Sequence, residues 1–194
     1  MSVSEDIRAL ARDGLNTAEI ARRLGIRYQH AYNVLKADSA GGVSSQATHP
    51  SAGLDLKDAL VLVSCVSQKR SEPTSARLLY CSEWFNKARA LVEAQEANWF
   101  VLSALYGVVA PNTRIAPYEK TLNTLGVDER RSWARNVHRQ LLPLLEGQKR
   151  VVIFAGQRYR EFLAPALVRD GYAVDVPMAN LRIGEQLAWL AART

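Results

Sequence analysis

RVVIFAGQRYREFLAPALVRD, residues 150–170, decides the fold. Its side chains are apolar without interruption from Val151 to Ala155, and Gly156 then closes the run. From about 158 to 169 apolar residues recur at helical spacing. A continuous apolar run of this length, rich in β-branched residues and leading into a helix, reads as a strand buried on both faces. Working outward, LVLVSC (60–65), WFVLSAL (99–105) and YAVDVP (172–177) read as further strands. Helical patterns at about 77–96, 127–146 and 183–193 fill the intervals. Strands alternating with helices predict an α/β domain over residues 56–194, with a mostly parallel sheet covered by helices.

The composition, 48% hydrophobic and 23% charged, is that of a globular protein and excludes disorder over the whole length. No apolar stretch approaches the ~18 residues of a membrane span. The opening MSVSEDIRAL lacks the basic-then-apolar layout of a secretory signal, so the expected compartment is the cytoplasm, with no membrane partner. Twenty-five Lys and Arg against nineteen Asp and Glu leave a net charge of +6, which suits a polyanionic partner. Cys65 and Cys81 form no disulfide framework and have no zinc spacing. No metal or cofactor is expected, and neither GxGxxG nor GxxxxGK[ST] occurs.

Residues 38–55, DSAGGVSSQATHPSAGLD, have the Ser-, Gly- and Ala-rich composition of a linker. Before them lies a helical head, residues 1–37. Ile7, Leu10 and Ala11 share one helical face, and Gly14 breaks that helix. Asn16 and Glu19 resemble a capping box for a second helix, whose inner face carries Ile20, Ala21 and Leu24. Gly25 permits a turn, and a third helix is expected from about Arg27 to Lys36, burying Ala31, Val34 and Leu35.

GLNTAEIARRLGIRYQHAYNVL (14–35) resembles the helix-turn-helix of resolvase-type and regulatory DNA-binding proteins. On that resemblance Tyr28, Gln29, Tyr32 and Asn33 face base edges, while Arg22, Arg23, Arg27 and Lys36 meet phosphates. A three-helix docking module is the alternative. The polar, aromatic and amide-bearing third helix favours DNA. Six basic against five acidic side chains through Asp38 make the head a weak binder alone.

In an open parallel sheet, the loops at the carboxyl ends of the strands converge on one crevice. The loops expected there are polar. They carry Ser64, Cys65 and Lys69; Ser103, Tyr106, Gly107, Tyr118 and Glu119; Gln157 and Tyr159; and Asn180. LSALYGVVAPNTRIAPY (102–118) resembles the signature of the YaaA family, a strand ending in Leu-Ser-[Gly/Ala]-Leu-Tyr-Gly-Val with Pro and Pro-Tyr to follow. RVVIFAGQRYREFL (150–163) is similar to that family's later strand-to-helix segment. With LLYCSEWFNKARA (78–90), the chain looks closer still to a compact branch of the family. The resemblance implies a DNA-binding or nucleobase-handling α/β protein, the family being linked to peroxide stress and distorted DNA.

Chemistry assigns the candidates. Glu119 can stabilise a cationic sugar centre or orient a water, as cleavage of a glycosidic bond requires; the alternative is a loop acid paired with Lys120 or Arg114. Lys69 suits a phosphate contact, attack on an anomeric carbon, or plain solvation. Tyr106 and Tyr159 can stack on an extruded base, although Tyr106 can equally plug the core. Tyr118 and Gly107 join the base-binding set, Gly107 by allowing a turn and close approach. Gln157 and Asn180 can read a base edge. Ser64 and Ser103 are small enough to admit a ligand, or are equally strand-end hydroxyls bonded to backbone. Cys65 lacks an evident base, since His30, His49 and His138 lie in the head, the linker and a helix. The favoured expectation is a DNA N-glycosylase excising a modified base, in repair or defence against phage. A non-catalytic DNA-binding stress or regulatory protein is the second expectation, and a small-molecule nucleotide enzyme the third.

Overall fold

A computed structural model describes residues 3–12, 15, 17–26, 34 and 54–194. The chain divides into two units, residues 1–53 and 54–194. In the first, α1 (Val3–Arg12) and α2 (Thr17–Arg23) pack through Ile7 and Ile20, both fully buried. Leu10, Ala11, Leu15, Leu24, Ile26 and Val34 surround that pair, much as the apolar spacing predicts. Gly25 ends the second helix with a left-handed φ of 63°. Arg22 and Arg23 stand exposed in its last turn. The expected third helix, with Arg27, Tyr28, Gln29, Tyr32, Asn33 and Lys36, lies outside the described residues, where Val34 alone is described and is helical. Most of the expected linker lies outside them too.

The second unit is built on β1 (Leu60–Ser64), β3 (Asn98–Ser103), β4 (Gly107–Val109), β6 (Arg150–Phe154) and β7 (Ala173–Asp175). These form one sheet in the order β4-β3-β1-β6-β7. β1 pairs in parallel with β3 and β6, and β6 with β7; β4 alone turns back antiparallel on β3. The mixed α/β architecture with a mostly parallel sheet is as the alternating pattern predicts. Every residue of β1 is buried, which requires cover on both faces. A second, two-stranded sheet joins β2 (Thr74–Ser75) to β5 (Arg114–Ile115).

The helices differ in detail from the periodicity. The expected helix at 77–96 is two, α3 (Ala76–Leu79) and α4 (Glu83–Ala94), because Tyr80 leaves the helical region and Ser82 caps the second. The Ser82 hydroxyl accepts the Phe85 N–H at 3.2 Å. α5 (Val127–Leu141) gives way to a 3-10 turn over Leu142–Leu145, where Pro143 cannot supply a helical N–H. The 158–169 pattern is α6 (Gln157–Arg160) followed by α7 (Leu163–Arg169), and α8 (Ile183–Ala191) closes the unit. α8 packs on α4, whereas α5 packs on β4 and α7. No described helix is long and apolar enough to cross a membrane.

Candidate active site

The chain steps from β1 to β3 on one side and then returns past β1 to β6 on the other. The carboxyl ends of β1 and β6 are therefore a topological switch point, where the loops diverge and leave a crevice. A cleft of about 800 Å³ opens there, within the range that encloses a nucleoside-sized ligand. Ser64 to Lys69 come from the end of β1, Gly156 to Tyr159 from the end of β6, and Glu119, Thr121 and Asn123 from the long connection before α5. The amino end of α4 and the first two turns of α8 supply further wall through Trp84, Ile183 and Leu187. Trp84 is fixed by donating its indole N–H to the Gln186 amide oxygen at 2.8 Å.

Beneath the cleft lies a hydroxyl and thiol cluster. The Ser103 oxygen accepts the backbone N–H groups of Leu105 (3.2 Å) and Tyr106 (3.0 Å). Its lone pairs so used, its proton goes to the Tyr118 hydroxyl at 2.7 Å, and Tyr118 in turn donates to Tyr80 at 2.9 Å. On the other side, Tyr159 stands 3.2 Å from the Cys65 sulfur and packs edge-on against Trp133. Burial pushes Tyr80, Tyr118 and Tyr159 well above the ordinary phenol range. The electrostatic influence of the neighbouring Cys65 sulfur pushes them the same way. The three phenols are neutral throughout the physiological range.

Lys69 is held at the cleft wall by two contacts. Its ammonium lies 4.6 Å from the centroid of the Tyr118 ring and donates to the Ser67 carbonyl at 3.2 Å. Glu119 is exposed, and among the described residues it pairs with neither Lys120 nor Arg114. The loop that carries it is anchored from below. Buried Arg130 donates to the Leu125 carbonyl at 2.6 Å and forms an ion pair with Glu161.

Of the residues singled out in the sequence, Ser64, Lys69, Glu119, Gln157 and Tyr159 line this one cleft. Ser103, Tyr106, Gly107, Tyr118 and Asn180 do not. Ser103 is fully buried and spends its hydroxyl on the turn and on Tyr118. Tyr118 supports Lys69 from behind. Tyr106 is 39% exposed and so does not plug the core; its ring meets Tyr118 edge-on at 5.5 Å. Gly107 has φ 78°, and the Gln140 amide occupies the space a Cβ would need. Asn180 is exposed beyond the lining.

Thr121, Trp84 and the α8 wall escaped the sequence reading, because only tertiary packing brings them to the cleft. His138 is engaged with Asp170 at 2.5 Å, away from Cys65, and His30 and His49 lie outside the described residues. No group of three metal-ligating side chains occurs among the described residues.

Residues 60–192 match DUF6884, a family of unknown function, and the chain belongs to that family. The matched span begins with β1 and ends after α8, so it takes in the whole sheet and every wall of the cleft. No curated protein matches the chain, and no solved structure does.

Proposed function

We propose that the chain is a DNA-binding N-glycosylase that excises a modified base, with the first unit as the reader of duplex DNA and the cleft of the second as the reaction chamber. One observation carries the reading. An exposed carboxylate, a fixed cation and an amide from three separate chain segments share a nucleoside-sized cleft at the switch point of the sheet. In this reading Glu119 takes a proton from a water that attacks the anomeric carbon. The C–O bond forms as the C–N bond breaks, and the departing base nitrogen takes up a proton from solvent, to which Glu119 returns the one it accepted. Lys69, held between the Tyr118 ring and the Ser67 carbonyl, acts as a point charge on a flanking phosphate. Gln157 presents both amide senses to the base edge.

The test is incubation of the purified chain with DNAs carrying different modified bases, scored for released base and for abasic sites. Release that falls at least about a hundredfold in Glu119→Gln, with DNA binding retained, supports the reading. No release from any substrate, with Glu119→Gln indistinguishable from the parent, refutes it. Binding without covalent change then leaves the non-catalytic DNA-binding protein as the function.

A further inference from the structure

The β3–β4 turn holds two large apolar side chains in solvent on a backbone with little freedom to move. Leu105 is 46% exposed and Tyr106 39%. The backbone N–H groups of both residues are tied to Ser103, and Trp133 donates to the Ser103 carbonyl at 3.1 Å. Gln140 clamps the far side. Its amide oxygen accepts the Val108 N–H at 2.7 Å, and its amide nitrogen donates to the Tyr106 carbonyl at 3.4 Å. A rigid, exposed aromatic–aliphatic pair loses little entropy on contact, which is the property of a binding anchor.

Place and charge name the occupant. The Tyr106 ring touches Tyr118, and the cleft residue Lys69 touches the same Tyr118 ring, so the tip stands one side chain away from the cleft wall. The Lys69 ammonium over the Tyr118 ring supplies positive charge beside the tip, on a chain whose net charge is +6. Two exposed side chains are far too little for a protein interface, which needs about 800 Å² per partner. They match one base step, and a basic side chain accompanied by an exposed aromatic belongs to the footprint of nucleic acid.

We infer that Leu105 and Tyr106 are a wedge that enters duplex DNA and fills the gap left by a nucleotide turned out into the cleft. The inference rests on the nucleobase reading of that cleft. It adds the element that opens the stack, and it moves Tyr106 from the pocket to the duplex.

The full chain is mixed with a short duplex carrying 2-aminopurine, a base that brightens when unstacked, and separately with the same strand alone. Wild type is expected to brighten the duplex. Leu105→Ala with Tyr106→Ala is expected to lose about tenfold of that effect, the loss of one stacked base, while single-strand binding is unchanged. Tyr106→Phe keeps the ring and is expected to keep the signal. Leu105→Gln, altered only at an exposed side chain, carries the test if the double variant melts early.

A bound duplex that fails to brighten, or brightening equal in wild type and variants, overturns the wedge. Base release is scored alongside. Brightening that needs the tip without release from any DNA sinks the glycosylase and leaves the wedge. Release by the double variant at the wild-type rate from duplex does the reverse.

Discussion

The Tyr159 hydroxyl lies 3.2 Å from the sulfur of Cys65 and, as the stronger donor, turns its proton toward it. Tyr159 is one of three buried phenols that hold their protons tightly, and this has a consequence at alkaline pH. Burial raises Tyr80, Tyr118 and Tyr159 above the ordinary phenol value of about 10. Below that pH the folded and unfolded chains both hold these protons, and their contribution to stability is constant. Above it the unfolded chain releases them while the folded chain does not. Stability is therefore expected to fall as pH rises, by ~1.4 kcal/mol per pH unit for each phenol. Urea midpoints measured across the alkaline range check this. Tyr118→Phe should flatten the slope by one phenol, and an unchanged slope in that variant contradicts the assignment.

Gly107 is expected to accept no side chain. Its φ of 78° costs an L residue roughly 1–2 kcal/mol. A Cβ built there lies 2.1 Å from the Gln140 amide oxygen, which is itself bound to the Val108 N–H. Gly107→Ala should thus lose the backbone term together with the displaced hydrogen bond, in total about 2–3 kcal/mol. Adding Gln140→Ala removes the clash but not the strain. The double variant should then be less destabilised than the sum of the singles, a coupling that denaturant titration of all three can read. Strict additivity contradicts the contact.

Arg130 ties the Glu119 loop to the base of α6 and α7. Its guanidinium is 6% exposed as a residue and holds both the Leu125 carbonyl and Glu161. Glu161→Ala leaves that charge buried with only a carbonyl for company, and is expected to cost about 3 kcal/mol. Replacing both partners together, Arg130→Met with Glu161→Leu, removes the charge along with the need for a partner. It should recover most of the loss in equilibrium unfolding. A double variant as unstable as Glu161→Ala refutes the argument.

How far the sequence foretold this architecture follows from which physical signals are local. The runs 60–65, 99–105 and 150–156 were legible because a strand buried on both faces has to be apolar at every position, and β1, β3 and β6 fall within a residue or two of them. Lys69, Gln157 and Tyr159 were legible as cleft residues because they follow parallel strands whose carboxyl ends share one edge of the sheet. Glu119, by contrast, follows the small second sheet and reaches the cleft only through tertiary folding. Ser103 and Tyr118 have the same polar chemistry, yet they face inward to each other. That choice depends on the Leu105 and Tyr106 N–H groups needing an acceptor, a three-dimensional need with no mark in spacing. β4 escaped for a related reason. It is three residues long, and its Val108 N–H is taken by Gln140 from a helix that begins about twenty residues further on.

The first unit should be separable from the second by a single core change. Ile7 and Ile20 are fully buried there, in a unit that spans only residues 1–53. A unit of that size has little stability to spare. Ile20→Ala removes most of a buried side chain, at a cost of ~2–4 kcal/mol. That loss is expected to open the first unit to proteolysis within residues 1–53, while the thermal midpoint of the α/β unit stays where it was. If this unit reads DNA, duplex affinity should fall together with its protection, and Arg22→Gln with Arg23→Gln should weaken binding without affecting proteolysis. A midpoint of the α/β unit that drops with Ile20→Ala contradicts the division into two units. Duplex affinity that survives Ile20→Ala removes the first unit from DNA recognition and leaves that task to the face around Tyr106.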